Sequence, residues 1–330
     1  MYSIIKNFPQ NLQEAINQVK KTSLQNLTHP IRNIIITGMG SSGLAGTLVK
    51  QWVADKLSMP LANNHDYQLP AYVDEHTLLI VVSYSGNTQE TIEAFQTGIK
   101  QRANILVITS GGNLQKMAHE QGIDVLPLPK YLPPRACIDH TIVQILFILY
   151  FHRLLNWEFL PELQAAIQLI RDSQSQMQTE AEQLALQIQG CLPIIYTIAA
   201  YEAVAIRLRH QLNENSKQLC WHHILPELAH NEIVGWESNY DQNHIAVILL
   251  NGYIEDVNLN RQLETTQEII RKHTNRITVL NAQGSTHLIR SLYLIHLSDW
   301  ISFYLAQEKG IDPLEVKYID QIKTSLYADN

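Results

Sequence analysis

The sequence predicts an α/β protein of two similar halves, each a parallel sheet flanked by helices. Strand-like and helix-like runs alternate in two separate blocks, the layout of a parallel sheet covered by helices. A stretch from about 160 to 189 stands between the blocks. It is rich in Gln, Glu and Ala, has no Pro or Gly after Pro161, and predicts one long helix. Loops of glycine, serine and threonine follow two strand-like runs of the first block, at the strand ends where open α/β sheets take ligands.

The elements follow in order. MYSIIKNFPQNLQEAINQV reads as an amphipathic helix and lacks the apolar core and small-residue cleavage site of a signal peptide. The first block predicts strands at 32–37, 77–83, 103–110 and 124–129. NTQETIEAFQTGIKQ has helical periodicity, with Asn87 or Thr88 as its N-cap. CIDHTIVQILFILYF carries Asp139 and His140 near its start and is short for a membrane span, so it predicts a buried core helix. The second block predicts strands at 192–199, 244–251 and 276–282. This layout gives a domain over 1–155 and a second over 156–330 that opens with the linking helix. The two halves agree in layout rather than in sequence.

Composition narrows the function classes. The chain has 330 residues, 45% hydrophobic and 17% charged, which is ordinary for a globular protein. Its net charge of −7 and the lack of a dense basic run argue against nucleic acid as a partner. Cys137, Cys191 and Cys220 have no metal-type spacing and cannot all pair, which predicts reduced thiols and a cytoplasmic setting.

Gly38, Gly40 and Gly43 spell G-x-G-x-x-G after a strand, the dinucleotide fingerprint, and Asp66 lies in range of the acidic residue that fingerprint uses. The second loop, SYSGNTQET (83–91), is one a dinucleotide site does not need. Ser41, Ser42, Ser83, Ser85 and Thr88 instead offer hydroxyls at two strand ends. With backbone N–H groups at helix starts they suit the oxygens of a single phosphate. Without a ligand the same residues would be ordinary turn and cap residues.

Two further constellations carry chemistry. In YLPPRACIDH (131–140) a double proline fixes the backbone before Arg135, whose guanidinium suits a sugar hydroxyl or an enediolate oxygen. In QLNENSKQLCWHHILPELAHNEIVGWE (211–237), Glu214, Lys217, His222, His223, Glu227, His230 and Glu232 lie close together in sequence. Asn213, Asn215 and Ser216 read as a polar turn around Glu214, and His230 as part of a helical segment. A carboxylate with an imidazole can move a proton beside a carbonyl and open a sugar ring. Zinc at His222, His223 and His230 lacks a supporting ligand framework. A serine hydrolase lacks its G-x-S-x-G elbow.

Taken in order, GMGSSGLAG, SYSGNTQET, PPRA, NENSK and PELAHNE resemble the sugar isomerase (SIS) domain superfamily. More narrowly they resemble the bifunctional phosphoglucose/phosphomannose isomerases, from about Asn33 to Lys323. The resemblance implies two SIS domains, a homodimer, and an aldose–ketose isomerase of glycolysis and gluconeogenesis. It implies no metal or organic cofactor, no nucleic acid and no membrane. Gly40, Ser41, Ser42, Ser83, Ser85 and Thr88 would bind the substrate phosphate. Glu214 would shuttle the proton between C1 and C2, and Arg135 would steady the enediolate. His230 would open the sugar ring from the neighbouring subunit. Lys323, or alternatively Lys317, would be the lysine of the closing C-terminal helix DPLEVKYIDQIK. Two positions depart from the family pattern: Ser41 replaces a glycine, and Val316 stands where a threonine tied to the mannose epimer is expected. The competing expectations are a non-catalytic sugar-phosphate regulator, an isomerase of another phosphosugar, and the isomerase half of a glucosamine-phosphate synthase.

Overall fold

A computed structural model describes residues 1–237, 242–253 and 256–327. The chain forms two compact units. An N-terminal unit comprises Lys6–Arg171 with Gly284–Ile289, and a C-terminal unit comprises Met1–Ile5, Asp172–Gln283 and Arg290–Asn330. The last three residues of the chain lie outside the described residues.

The N-terminus is two helices, α1 (Tyr2–Lys6) and α2 (Phe8–Val19), not one. Pro9 sits in the first turn of α2, where its missing N–H costs nothing, so a new helix starts there. The five parallel strands of the first sheet are β1 (Asn33–Thr37), β2 (Leu61–Asn64), β3 (Thr77–Ser83), β4 (Asn104–Thr109) and β5 (Val125–Pro127). Their connections are α3 (Gly40–Val53), α4 (Gln89–Lys100) and α5 (Gly112–Glu120), and α6 (Ile138–Phe151) follows β5. Every residue of β3 is buried, as a central parallel strand covered on both faces requires. Leu79 and Val81 pack with Phe95 of α4 and with Leu114 and Ala118 of α5. The apolar segment 137–151 is the core helix α6, packed on α2 and α3. No described helix is long and apolar enough to cross a membrane.

Strand order is β2-β1-β3-β4-β5. The chain steps outward one way from β1 and the other way from β3, so a topological switch point opens at the carboxyl ends of β1 and β3. The strand β2 was not expected, because Leu-Ala-Asn-Asn has no apolar alternation. Pairing makes it a strand: Ile34 lies opposite Leu61, and the Asn64 amide donates to the Thr37 hydroxyl at 3.2 Å.

The linking helix is α7 (Phe159–Ile188), 30 residues long, against an expected 160–189. The boundary between the units falls inside it, at Arg171 and Asp172. The second sheet has β6 (Leu192–Ile198), β7 (Trp221–Leu225), β8 (Ile245–Asn251) and β9 (Ile277–Asn281), in the order β7-β6-β8-β9. The helices here are α8 (Glu202–Ser216) between β6 and β7, α9 (Val257–Ile270) between β8 and β9, then α10 (His287–Glu308) and α11 (Lys317–Tyr327). The unexpected strand is again the outer one beside the first strand of the block, β7, whose Trp-His-His-Ile-Leu reads as a polar segment.

The C-terminal unit has a polar core along α10. His296 is fully buried, and its Nε2 accepts the Trp300 indole N–H at 3.0 Å. Burial pushes its pKa from 6.5 down to about 3. His222 is pushed the same way, to about 4, by burial and then by Arg209 and His223. Between these folded values and 6.5 the unfolded chain binds protons that the native chain refuses, so stability falls as pH falls through that window. Urea unfolding should therefore show His296 alone costing about 2 kcal/mol between pH 7 and pH 5. The variant His296→Gln should show a correspondingly smaller pH slope. An unchanged slope would mean that His296 does not stay neutral in the native protein.

Candidate active site

The first loop turns from β1 into α3. Gly40 has φ +51°, a conformation glycine adopts freely. A side chain at Gly38 would come within 2.7 Å of the Val82 carbonyl oxygen, and one at Gly43 would strike the Gly38 carbonyl and the His65 ring. The three glycines thus let β1, β3 and the first turn of α3 close on one another. His65 Nδ1 donates to the Gly38 carbonyl at 2.9 Å and fixes the turn. In that first turn Ser41 is buried and Ser42 is partly exposed. Asp66 is exposed, and its carboxylate accepts the Tyr67 amide at 2.6 Å.

The second loop leaves β3 at Ser83, which is buried. Ser83 Oγ accepts the Gly86 amide at 3.1 Å and shares a 2.9 Å hydrogen bond with Thr88 Oγ1. Ser85 Oγ accepts the Asn87 amide at 3.2 Å. Gly86 has φ +65°, and a side chain there would collide with the Gly111 carbonyl. A third loop after β4 is therefore pressed against it. The Ser110 hydroxyl donates to the Tyr84 carbonyl at 2.7 Å, and the Asn113 amide donates to Asn87 Oδ1 at 2.9 Å. Thr88 is the N-cap of α4, yet its hydroxyl turns to Ser83 and makes no cap bond. The first turn of α4 thus keeps amide donors and the positive end of the helix without a side-chain acceptor. Hydroxyls and amides converge at the switch point, and that donor set suits a phosphate dianion.

Arg135 lies in the 3₁₀ turn Pro134–Ala136, which packs on α3, and it is buried. The Tyr84 hydroxyl donates to the Leu132 carbonyl and ties the approach to Arg135 to the second loop.

In the C-terminal unit Glu214 occupies the last turn of α8 and is partly buried. The expected polar turn at Asn213, Asn215 and Ser216 is helix. Asn215 and Ser216 are buried, and α10 satisfies their side chains. The Asn215 amide donates to Ser302 Oγ at 2.9 Å, and the Ser216 hydroxyl donates to the Ser302 carbonyl at 2.7 Å. One face further along α8, Arg207 grips Asp299 through Nε at 2.9 Å and a second guanidinium nitrogen at 2.8 Å. Asp299 gives a sequence signal that can be found in hindsight, a lone acid inside an apolar helix.

His230 closes a short 3₁₀ turn, Glu227–His230, and is exposed. The next residues are pinned by Glu232. Its carboxylate accepts the Tyr196 hydroxyl at 2.5 Å, the Trp221 indole at 3.1 Å and His223 Nδ1 at 2.8 Å. Burial, with Glu232 alongside, holds the Tyr196 hydroxyl protonated. Neighbouring strand residues face opposite ways. His222 accordingly points to α8, 3.8 Å from Glu202, while Trp221 and His223 point to the Glu232 segment. The zinc reading of His222, His223 and His230 fails on this alternation, and no metal-competent cluster exists among the described residues. The same alternation puts α8, with Glu214, and the segment carrying His230 on opposite faces of the second sheet. Lys317 opens α11 and Lys323 lies within it, and both are exposed. Val316 immediately precedes α11, and its carbonyl accepts the Ile319 and Asp320 amides.

The switch point of the second sheet differs from the first. The Tyr201 ring fills it, so close to Gly252 that no Cβ would fit there. The Arg290 guanidinium stacks 4.7 Å from the Tyr253 ring centre. At the start of α9 the Asp256 carboxylate accepts the Asn258 and Leu259 amides at 2.8 and 2.9 Å.

Comparison with known proteins agrees with this architecture. The SIS domain profile matches residues 29–142, and the bacterial phospho-glucose isomerase C-terminal SIS domain profile matches residues 177–326. The C-terminal domain of glucosamine-fructose-6-phosphate aminotransferase from Francisella tularensis shares the fold, with a TM-score of 0.75 at 18% identity over 95% of this chain and 97% of that one. The molecule is a double SIS-domain protein. Bifunctional phosphoglucose/phosphomannose isomerase of Caldicellulosiruptor bescii is 34% identical over 99% of this chain and 98% of its own. The enzyme of that name from Aquifex aeolicus is 30% identical over 99% and 98%. The chain belongs to the bifunctional phosphoglucose/phosphomannose isomerase family.

Proposed function

We propose that this protein interconverts glucose 6-phosphate and mannose 6-phosphate with fructose 6-phosphate. The relationship to the curated isomerases over 99% of the chain carries the reading. The donor-only cradle at the first switch point supports it.

In this reading the first half, 1–155, holds the phosphate through Ser42, Ser83, Ser85, Thr88 and the backbone around Gly40 and Ser41. Anchoring the phosphate turns binding energy into orientation of C1 and C2. His230 assists ring opening. Glu214, in the second half, 156–330, takes the proton from C2 of the open aldose and returns it at C1, while the hydroxyl proton passes from O2 to O1. The substrate is rearranged without net oxidation. Arg135 offsets the charge of the enediolate, and Lys323 on α11, with Lys317 as the alternative, adds a further positive group. A base that reaches C2 in either configuration would serve both aldoses.

The reading includes a homodimer in which His230 serves the neighbouring copy. Support comes from the opposite sheet faces taken by α8 and the His230 segment, which part Glu214 and His230 of one chain. The proposed setting is the cytoplasm, in the sugar-phosphate steps of glycolysis and gluconeogenesis.

The test is an assay of the purified protein with fructose 6-phosphate, quantifying both aldose phosphates. Both products are expected. Glucose 6-phosphate alone would remove the mannose activity and point to Val316. Neither product, with sugar phosphate still bound, would replace the isomerase with a regulator or an isomerase of another phosphosugar.

A further inference from the structure

Lys217, the last residue of NENSK, has no part in the chemistry above, yet its side chain is fully engaged. Its Nζ donates to the carbonyl oxygens of Glu214 at 2.9 Å, Asp312 at 2.9 Å and Glu315 at 2.7 Å, with the Asn215 carbonyl at 3.5 Å. An ammonium has three N–H donors, and three short bonds use all of them. The first acceptor belongs to the last turn of α8. The other two belong to the segment that leads into α11, which begins two residues after Glu315.

The backbone of Lys217 adds to the case. It stands at φ 49°, ψ 43°, just past the end of α8, a left-handed position that glycine fills most cheaply. Glycine would end the helix but could not bridge to Asp312 and Glu315. Lys309, just beyond α10, reinforces the same corner by donating to the Lys217 carbonyl at 3.3 Å and to Gln218 Oε1 at 3.2 Å. Two cations therefore serve the carbonyl end of α8, where the helix dipole favours positive charge. In contrast, every side chain described in α11 is exposed. The helix depends on its entry segment for its placement within the C-terminal unit.

We propose that Lys217 is a positioning residue that registers the start of α11 against the Glu214 end of α8. It thereby sets where the lysines of α11 stand relative to the base. The catalytic consequence rests on the isomerase reading, whereas the clamp itself does not.

Three variants of the full-length protein test this. Lys217→Met keeps a non-glycine residue at the left-handed position and removes the ammonium. Lys217→Asn removes it with a residue that tolerates that conformation. Lys217→Arg retains a charged donor. Hydrogen exchange of residues 312–325 should quicken in the Met and Asn variants while the strand amides of the second sheet keep their protection. With fructose 6-phosphate, kcat should fall about 10- to 100-fold, with KM within about 2-fold. The Arg variant should recover part of both effects. Wild-type exchange rates in 312–325 would overturn the proposal. So would a general loss of protection across the unit, because the lysine would then be merely structural. If the wild-type protein does not turn over the substrate, the isomerase reading falls alone and the exchange data still decide the clamp.

Discussion

Glu214→Gln is expected, on the proposed function, to lower isomerase turnover by about 10³-fold, the middle of the range for losing a positioned general base. The substitution is isosteric and removes the basicity and the negative charge. The bonds that hold this end of α8 come from the Asn215 and Ser216 side chains and from the Glu214 backbone carbonyl, none of which the variant alters. The folding midpoint should stay within a few degrees of wild type, and calorimetry should give a nearly unchanged Kd for fructose 6-phosphate. Such a split between chemistry and binding is the signature of a group that acts only in the transition state. Near-native turnover would move the base elsewhere, and a lost Kd would make Glu214 a binding residue instead.

Arg207→Met is expected to be the most damaging single change to the stability of the C-terminal unit. Arg207 and Asp299 are both buried and are joined by two short bonds. Removing the cation strands a carboxylate out of water, which costs about 3–5 kcal/mol. Thermal unfolding should drop by about 10 °C for a unit of this size. The double variant Arg207→Met with Asp299→Leu should regain much of the loss, because an apolar pair of similar volume needs no desolvation of charge. A drop of less than 2–3 °C in the single variant would show that the pair contributes little. Arg207 sits two turns before Glu214 on the same helix, so a loss of turnover should accompany the loss of stability.

The elements legible in the sequence were those whose own residues force the structure. Each of β1, β3, β4, β6, β8 and β9 has an apolar run bounded by turns, and α7 is long and free of breakers. The strands β2 and β7 escaped because Leu-Ala-Asn-Asn and Trp-His-His-Ile-Leu become strands only through pairing with β1 and β6. The loops were legible as tight turns at strand ends because glycine and small hydroxyls there have a local physical meaning. The setting of Glu214 was not. Asn and Ser favour turns in isolation, and only Ser302, 86 residues from Ser216, makes helix the better state. Long-range partners of this kind, including Arg207 with Asp299 and Lys217 with Glu315, leave no periodic trace.

The filled crevice of the second sheet has a consequence for how the protein answers its surroundings. A carboxylate tethered at the start of α9 is present at an effective concentration that a free anion cannot match. Asp256 therefore competes with a free anion for those amides, and the Tyr201 ring stands against Gly252. Among the described residues, the duplicated architecture then leaves one proposed phosphate cradle per chain. On the proposed function, inorganic phosphate should act as a plain competitor for that cradle, with inhibition following a single binding constant per chain. On that reading, the second half supplies Glu214 and His230 to the chemistry rather than a second phosphate cradle.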